Sequence, residues 1–134
     1  MREIKFRGIR EKTGEWVYGY LVMREDPFLH DIVSPIGNQS SCTWAIKRGT
    51  EGQYTGLKDK NGVEVYEGDI VETVYNGEVF AGVVVYDLSE VDFKVTDGKE
   101  KYGRNFQYLA GNDENEVIGN IYEENPELLA TKKD

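Results

Sequence analysis

The sequence predicts a mainly β protein, and three observations predict it. Fifteen of the 134 residues are glycine, and together with nine tyrosines, five phenylalanines and abundant valine they favour extended segments between tight corners. Asn61-Gly62 and Asn76-Gly77 are dipeptides that two-residue hairpin turns prefer, because both residue types tolerate positive φ. Ahead of the C-terminal tail nothing reads as helical, and the chain shows neither heptads nor a repeat of solenoid length.

The elements follow in order. In the opening segment Ile4 and Phe6 alternate with Glu3, Lys5 and Arg7, the pattern of a strand with one wet face. Trp16 to Val22 repeats it, with Trp16, Tyr18, Tyr20 and Val22 on one side. Glu11 to Glu15 closes the two into a hairpin, Gly14 supplying the positive φ. From Arg24 to Gly52 the prolines, Gly37 and Asn38 break any period, and short strands are expected near Asp31 to Ser34 and Thr43 to Lys47. The run from Lys47 to Gly52 is the expected boundary between an N-terminal β lobe, residues 1–52, and a second part, residues 53–134.

The second part is punctuated more sharply. Val63 and Val65 follow the Asn61-Gly62 turn, and Glu67-Gly68-Asp69 makes a second break. Ile70 to Tyr75 then pairs with Glu78 to Tyr86 across Asn76-Gly77, the strongest hairpin signal in the chain. Asp92 to Thr96 and Lys101 to Leu109 form a further expected pair around Asp97-Gly98, and Glu116 to Tyr122 a last strand. In the tail, Asn125 suits an N-cap and Pro126 the first helical position, so one short helical turn carrying Leu128 and Leu129 is expected there.

Composition excludes several classes of function. A formal charge of -9 repels polyanions at long range and disfavours nonspecific nucleic-acid binding. Cys42, the single cysteine, allows no intrachain disulfide, and with His30 it is too few ligands for an ordinary zinc site. No apolar stretch approaches the ~20 residues a membrane-spanning helix needs, and the first residues carry no secretory signal, so a bacterial cytoplasmic location without membrane association is expected. Neither a Gly-x-Ser-x-Gly elbow nor a phosphate-cradling Gly-x-Gly-x-x-Gly is present.

Three blocks of sequence carry a resemblance. They are Met1 to Arg7; Tyr54-Thr55-Gly56-Leu57-Lys58-Asp59-Lys60-Asn61-Gly62 with Tyr66-Glu67-Gly68-Asp69-Ile70-Val71; and Val117-Ile118-Gly119-Asn120-Ile121-Tyr122-Glu123 with Asn125-Pro126-Glu127-Leu128-Leu129. In these blocks the chain resembles the YopX family, small proteins encoded by phages and prophages. The resemblance implies a β-rich protein whose C-terminal part is a small SH3-like β-barrel, made in the cytoplasm of an infected or lysogenic bacterium. It implies no activity and brings no catalytic residues with it. Residues 23–52 match none of these blocks.

Asp59-Lys60-Asn61-Gly62 has part of a calcium-loop pattern but lacks its further acidic ligands, and Lys60 adds the wrong charge, so a turn is the better reading. Glu64, Glu67, Asp69 and Glu72 cluster in sequence without converging, as expected of a solvated acidic edge, and Asp69 suits hydrogen bonding to the turn's own N–H groups. His30, in a proline-flanked loop, is expected to be a surface or satisfied histidine. Accordingly no catalytic, cofactor-binding or metal-binding residues are assigned.

The remaining candidates are for interaction. Arg2, Lys5 and Arg7 belong to a basic N-terminal stretch that contrasts with the acidic run from Glu64 to Asp97, and Trp16, Tyr18 and Tyr20 are aromatic residues suited to a contact surface. The leading expectation is a non-catalytic β module that binds a host or phage protein or itself. One alternative is a nucleic-acid-binding module using the basic hairpin, its affinity falling steeply with salt. Another is a carboxylate-metal hydrolase, which added magnesium or manganese would stabilise.

Overall fold

A computed structural model describes residues 3–24, 30–36, 40–75, 77–97 and 106–123 of the chain. Among these residues there are eleven strands and no helix: β1 Phe6–Ile9, β2 Trp16–Met23, β3 His30–Ile36, β4 Ser40–Ala45, β5 Gly52–Lys58, β6 Glu64–Tyr66, β7 Asp69–Tyr75, β8 Glu78–Asp87, β9 Asp92–Thr96, β10 Phe106–Tyr108 and β11 Glu116–Asn120. The expected mainly β fold is what is found. The strands form two sheets, ordered β4-β3-β2-β1-β5-β6 and β10-β9-β8-β7-β11. The expected helical turn at Asn125 to Leu129 lies outside the described residues.

The chain divides into two compact units, Met1–Gly56 and Leu57–Asp134. The boundary falls inside β5, whereas the expected one, between Gly52 and Gln53, falls at its start. Gly56 takes a φ of 87°, which helps explain why the sequence pattern does not announce β5 as a strand.

In the first unit β1, β2, β3 and β4 form an antiparallel meander, with Arg7 opposite Tyr18, Leu21 opposite Ile32 and Ile32 opposite Trp44. The hairpin expected at Glu11 to Glu15 is present: Arg10 N–H donates to the Glu15 carbonyl at 2.8 Å, and Gly14 has a φ of 76°. Val17, Ile32 and Ile46 form the buried core, with Phe6, Leu21 and Trp44 packed around it. Gly19 is demanded by close approach, since a Cβ there would lie 2.2 Å from the Val33 carbonyl oxygen. An isolated bridge between Arg10 and Ile46 brings the end of β4 back toward β1.

The second unit is built on the hairpin expected to be strongest. Tyr75 pairs with Glu78, and β7 runs back along β8 through Ile70 opposite Val83. Its core is Val65, Val71, Val84, Val95 and Leu109. At the sheet's edge β11 pairs with β7 through an irregularity between Val117 and Gly119. Among the described residues this sheet is open, ending on β10 and β11, so the closed barrel implied by the resemblance is not formed there. The Asn61-Gly62 turn also differs from expectation. Only Gly62 has positive φ, so the turn is not type I′, and Asp59 rather than Asn61 organises it.

Candidate functional site

The outward face of β2 gathers most of the expected interaction residues. On β2, Val17 turns into the core while Tyr18, Tyr20 and Val22, at alternate positions, are 45%, 59% and 44% exposed. Met23 at the strand's end is exposed as well. Trp16 is half-buried on the same side, where its ring takes the Arg7 guanidinium at 4.2 Å from its centroid. Arg2 lies outside the described residues.

Arg7 corrects the expectation of a wet basic face. It is only 7% exposed, while Ile4, expected to point inward, is exposed. The cause is β1's place in the sheet: Arg7 sits between Tyr18 of β2 and Gly52 of β5, and Trp16, diagonal to it, covers its guanidinium. Lys5 is likewise engaged, lying 5.1 Å from the Tyr54 ring centroid and 3.6 Å from the Glu3 carboxylate. Both cations are spent largely within the unit.

Other polar groups of the first unit fall at the end of the meander. Arg24 makes a two-pronged ion pair with Asp31, at 2.6 and 2.8 Å, and that hydrogen bonding together with the Asp31 charge raises the guanidinium's pKa. His30 opens β3 with Nδ1 3.4 Å from Glu51, and is therefore a partnered histidine. Cys42 is half-buried on β4 opposite Ser34. A cleft of about 490 Å³ opens between the β1–β2 hairpin and β4, lined in part by Arg10, Lys12, Arg24 and Trp44. The sequence reading missed it, because its lining comes from three separated segments, residues 10–12, Arg24 and residues 43–45; the only trace was the local basic excess of residues 1–12.

In the second unit the acidic residues singled out from sequence hold turns together. The Asp59 carboxylate accepts N–H groups from Asn61, Val63 and Val117 at 2.8, 2.9 and 2.9 Å. Burial pushes this carboxyl up, but those three donors with the nearby Lys60 outweigh it and hold it below the usual carboxylate range. Asp69 accepts the Tyr66 N–H at 2.8 Å across the β6–β7 turn, the role expected of it. Glu64 accepts the Tyr66 hydroxyl at 3.2 Å, and Glu72 lies in β7 opposite Ala81 and Glu116. Among the described residues no three His, Cys, Asp or Glu side chains come together as a metal-holding group.

A further charged group is buried in the second unit, and no sequence motif marks it. Lys94, 4% exposed on β9, donates to Asp87 and pairs with Glu90, and its ammonium lies 4.2 Å from the Phe106 ring centroid. Hydrogen bonds to Asp87 and Glu90 raise its pKa, and in return hydrogen bonding to Lys94 lowers both carboxyls. Tyr108 donates to Glu90 at 3.1 Å, which raises the phenol's pKa. An ammonium held charged this firmly is a poor nucleophile or base, so the arrangement fastens the β8–β9 loop to β10.

Among the described residues no helix is long and apolar enough to cross a membrane. No curated protein matches the chain. Among solved structures it is similar to the crystal structure of protein EF1440 from Enterococcus faecalis, with 23% identity, a TM-score of 0.47, and 96% of this chain and 99% of that one covered. The family model for YopX protein matches residues 5–130, and the chain therefore belongs to the YopX family.

Proposed function

We propose that this chain is a non-catalytic protein-binding module whose contact face is the outward side of β2. The observation that carries it is the uncharged, largely aromatic row of Tyr18, Tyr20 and Val22, exposed above a packed core. Tyrosine on a rigid strand gives a large contact area at low entropic cost, as in the centres of protein interfaces. The ready acids of the second unit are occupied with backbone N–H groups, which favours binding over hydrolysis. Family membership supports a phage or prophage accessory protein acting in the bacterial cytoplasm.

The partner is a different protein rather than a second copy. Two copies at -9 each repel one another, whereas the row of Tyr18, Tyr20 and Val22 is itself uncharged and can meet an unlike surface without burying one of its own charges. A nucleic-acid surface built on Lys5 and Arg7 is less well supported, since both are already engaged with Tyr54 and Trp16.

The test is affinity capture from bacterial lysate with wild type, Tyr20→Phe and Tyr20→Asp in parallel, followed by titration of the purified partner. One protein retained by wild type and Tyr20→Phe and released by Tyr20→Asp is the expected result. Equal retention by Tyr20→Asp, or a stable homodimer in sedimentation velocity that Tyr20→Asp dissolves, overturns the assignment to an unlike partner.

A further inference from the structure

The charge of the molecule is unevenly divided between its units. Residues 1–56 hold eight basic and seven acidic residues, a net of +1, whereas residues 57–134 hold eight and eighteen, a net of -10. Within the first unit, cations collect at the cleft between the β1–β2 hairpin and β4. The backbone builds that cleft: Glu11 N–H donates to the Ala45 carbonyl at 2.9 Å and Lys47 N–H to the Ile9 carbonyl at 2.7 Å, on either side of the Arg10–Ile46 bridge. This carries Arg10 and Lys12 to one side of the cleft, Trp44 and Thr43 to the other, and Arg24 to its lining from the end of β2.

The cations of the lining are not equivalent. Arg24 is claimed by Asp31 and also feels the Glu11 carboxylate. Among the described residues neither Arg10 nor Lys12 has an acidic partner within ion-pair distance. Glu11 lies between them in the lining, so Arg10, Glu11 and Lys12 together leave this side of the concave site with a net positive charge, which favours an anion. Trp44 packs against the core with Ile32 opposite it in the ladder, so its indole is fixed by the fold, and it also lines the cleft. A fixed indole beside paired cations suits a flat ring joined to a phosphate. A volume of about 490 Å³ is enough for one such unit.

We infer that this cleft binds a nucleotide unit, with phosphate on Arg10 and Lys12 and the base against Trp44. The unit comes either from a free mononucleotide or from a single-stranded nucleic acid. The site uses none of Tyr18, Tyr20 and Val22, so it stands or falls separately from the protein-binding face.

The test is isothermal titration of the full chain with adenosine 5′-monophosphate, inorganic phosphate and a ten-residue oligothymidylate at low salt. Saturable binding of the mononucleotide is expected, weakened at least tenfold in Arg10→Gln/Lys12→Gln and several-fold by raising salt from 50 to 200 mM. Glu11→Gln, which removes the opposing carboxylate, should tighten it several-fold, a gain that a merely structural role would not produce. Unchanged melting temperatures show that these surface variants remain folded. Oligothymidylate binding more than tenfold tighter, competed by the mononucleotide, identifies a strand as the source; weaker binding identifies the free nucleotide. The inference is overturned if the mononucleotide gives no saturable heat at millimolar concentration, if Arg10→Gln/Lys12→Gln binds as wild type, or if inorganic phosphate alone binds equally well.

Discussion

The Asp59 carboxylate accepts the backbone N–H of Val117 at 2.9 Å, joining residues 58 positions apart in sequence. Its other oxygen serves Asn61 and Val63, so one side chain closes the β5–β6 connection and pins β11 to it. Lys60 N–H donating to the Asn115 carbonyl at 2.9 Å reinforces the same junction. The Leu57-Lys58-Asp59-Lys60-Asn61-Gly62 block is therefore a fastener rather than a cation loop.

Asp59→Asn tests this directly. The amide keeps one acceptor oxygen, which can serve Asn61 and Val63 or Val117 but not both, and its NH₂ then faces a donor. The expected loss is about 2–4 kcal/mol of unfolding free energy, since buried donors are left without acceptors. Urea denaturation measures it, and an unchanged midpoint with unchanged slope would show that the three hydrogen bonds contribute nothing net. Because the folded carboxyl is held below its ordinary value, Asp59's contribution is complete above about pH 4 and is lost as the pH falls through the folded value.

Gly68→Ala addresses the second junction. Gly68 has a φ of 89°, its carbonyl accepts the Ile121 N–H at 3.0 Å, and an added Cβ would lie 2.9 Å from the Tyr122 ring. Two penalties are expected, one from the left-handed backbone and one from the ring. In Gly68→Ala/Tyr122→Ala only the ring penalty is relieved. The double variant should therefore lose less than the sum of the two single losses in denaturant titrations; full additivity would show that the ring moves aside at no cost.

Much of this architecture was legible in the sequence. Asn76-Gly77 marked the β7–β8 hairpin because a two-residue loop leaves few alternatives, and Gly14 marked the longer β1–β2 turn because that turn needs a residue with positive φ. Arg7 was not legible: the alternation of Ile4, Lys5, Phe6 and Arg7 shows two faces but not which is covered, and the burial comes from its place between β2 and β5 with Trp16 against the guanidinium. The shared exposed face of Tyr18 and Tyr20 follows from their alternate positions on β2, which point the same way. The cleft at Arg10, Lys12, Arg24 and Trp44 was hidden, since a single bridge at Ile46 assembles it and no local pattern encodes that bridge.

The Lys94 cluster should respond to mutation as a unit. Lys94→Met leaves Asp87 buried without its cation, and Asp87→Leu leaves the ammonium with Glu90 alone, so each single variant should lower the melting temperature by several degrees. Lys94→Met/Asp87→Leu removes both charges and should regain most of the loss. A double variant as unstable as the sum of the singles would show that packing, not charge pairing, governs the site.

The same cluster shapes the pH profile. Asp87 and Glu90 are held below their ordinary values, so their share of stability is complete above about pH 5 and is lost as acid protonates them through the folded values. Lys94 is held above its ordinary value, so its share is complete below about pH 10 and is lost as the pH rises through the folded value. Melting temperature should therefore show a plateau between those limits with falling arms on both sides. Asp87→Asn should lower the plateau and flatten the acid arm; an acid arm of unchanged steepness would assign it to other carboxylates.

Val91 offers a gain of stability. It is the non-glycine residue with positive φ among those described, at 55°, in the loop between β8 and β9. A β-branched side chain is strained in that conformation, and at 72% exposure it buries little surface to offset the strain. Asparagine tolerates the left-handed region without glycine's entropic cost, so Val91→Asn should raise the unfolding free energy by about 0.5–1 kcal/mol and Val91→Gly by less. Chemical denaturation of both variants checks the order. If both are less stable than wild type, the exposed valine is contributing contacts that outweigh its backbone strain, and this loop belongs among the surfaces to test for partner binding.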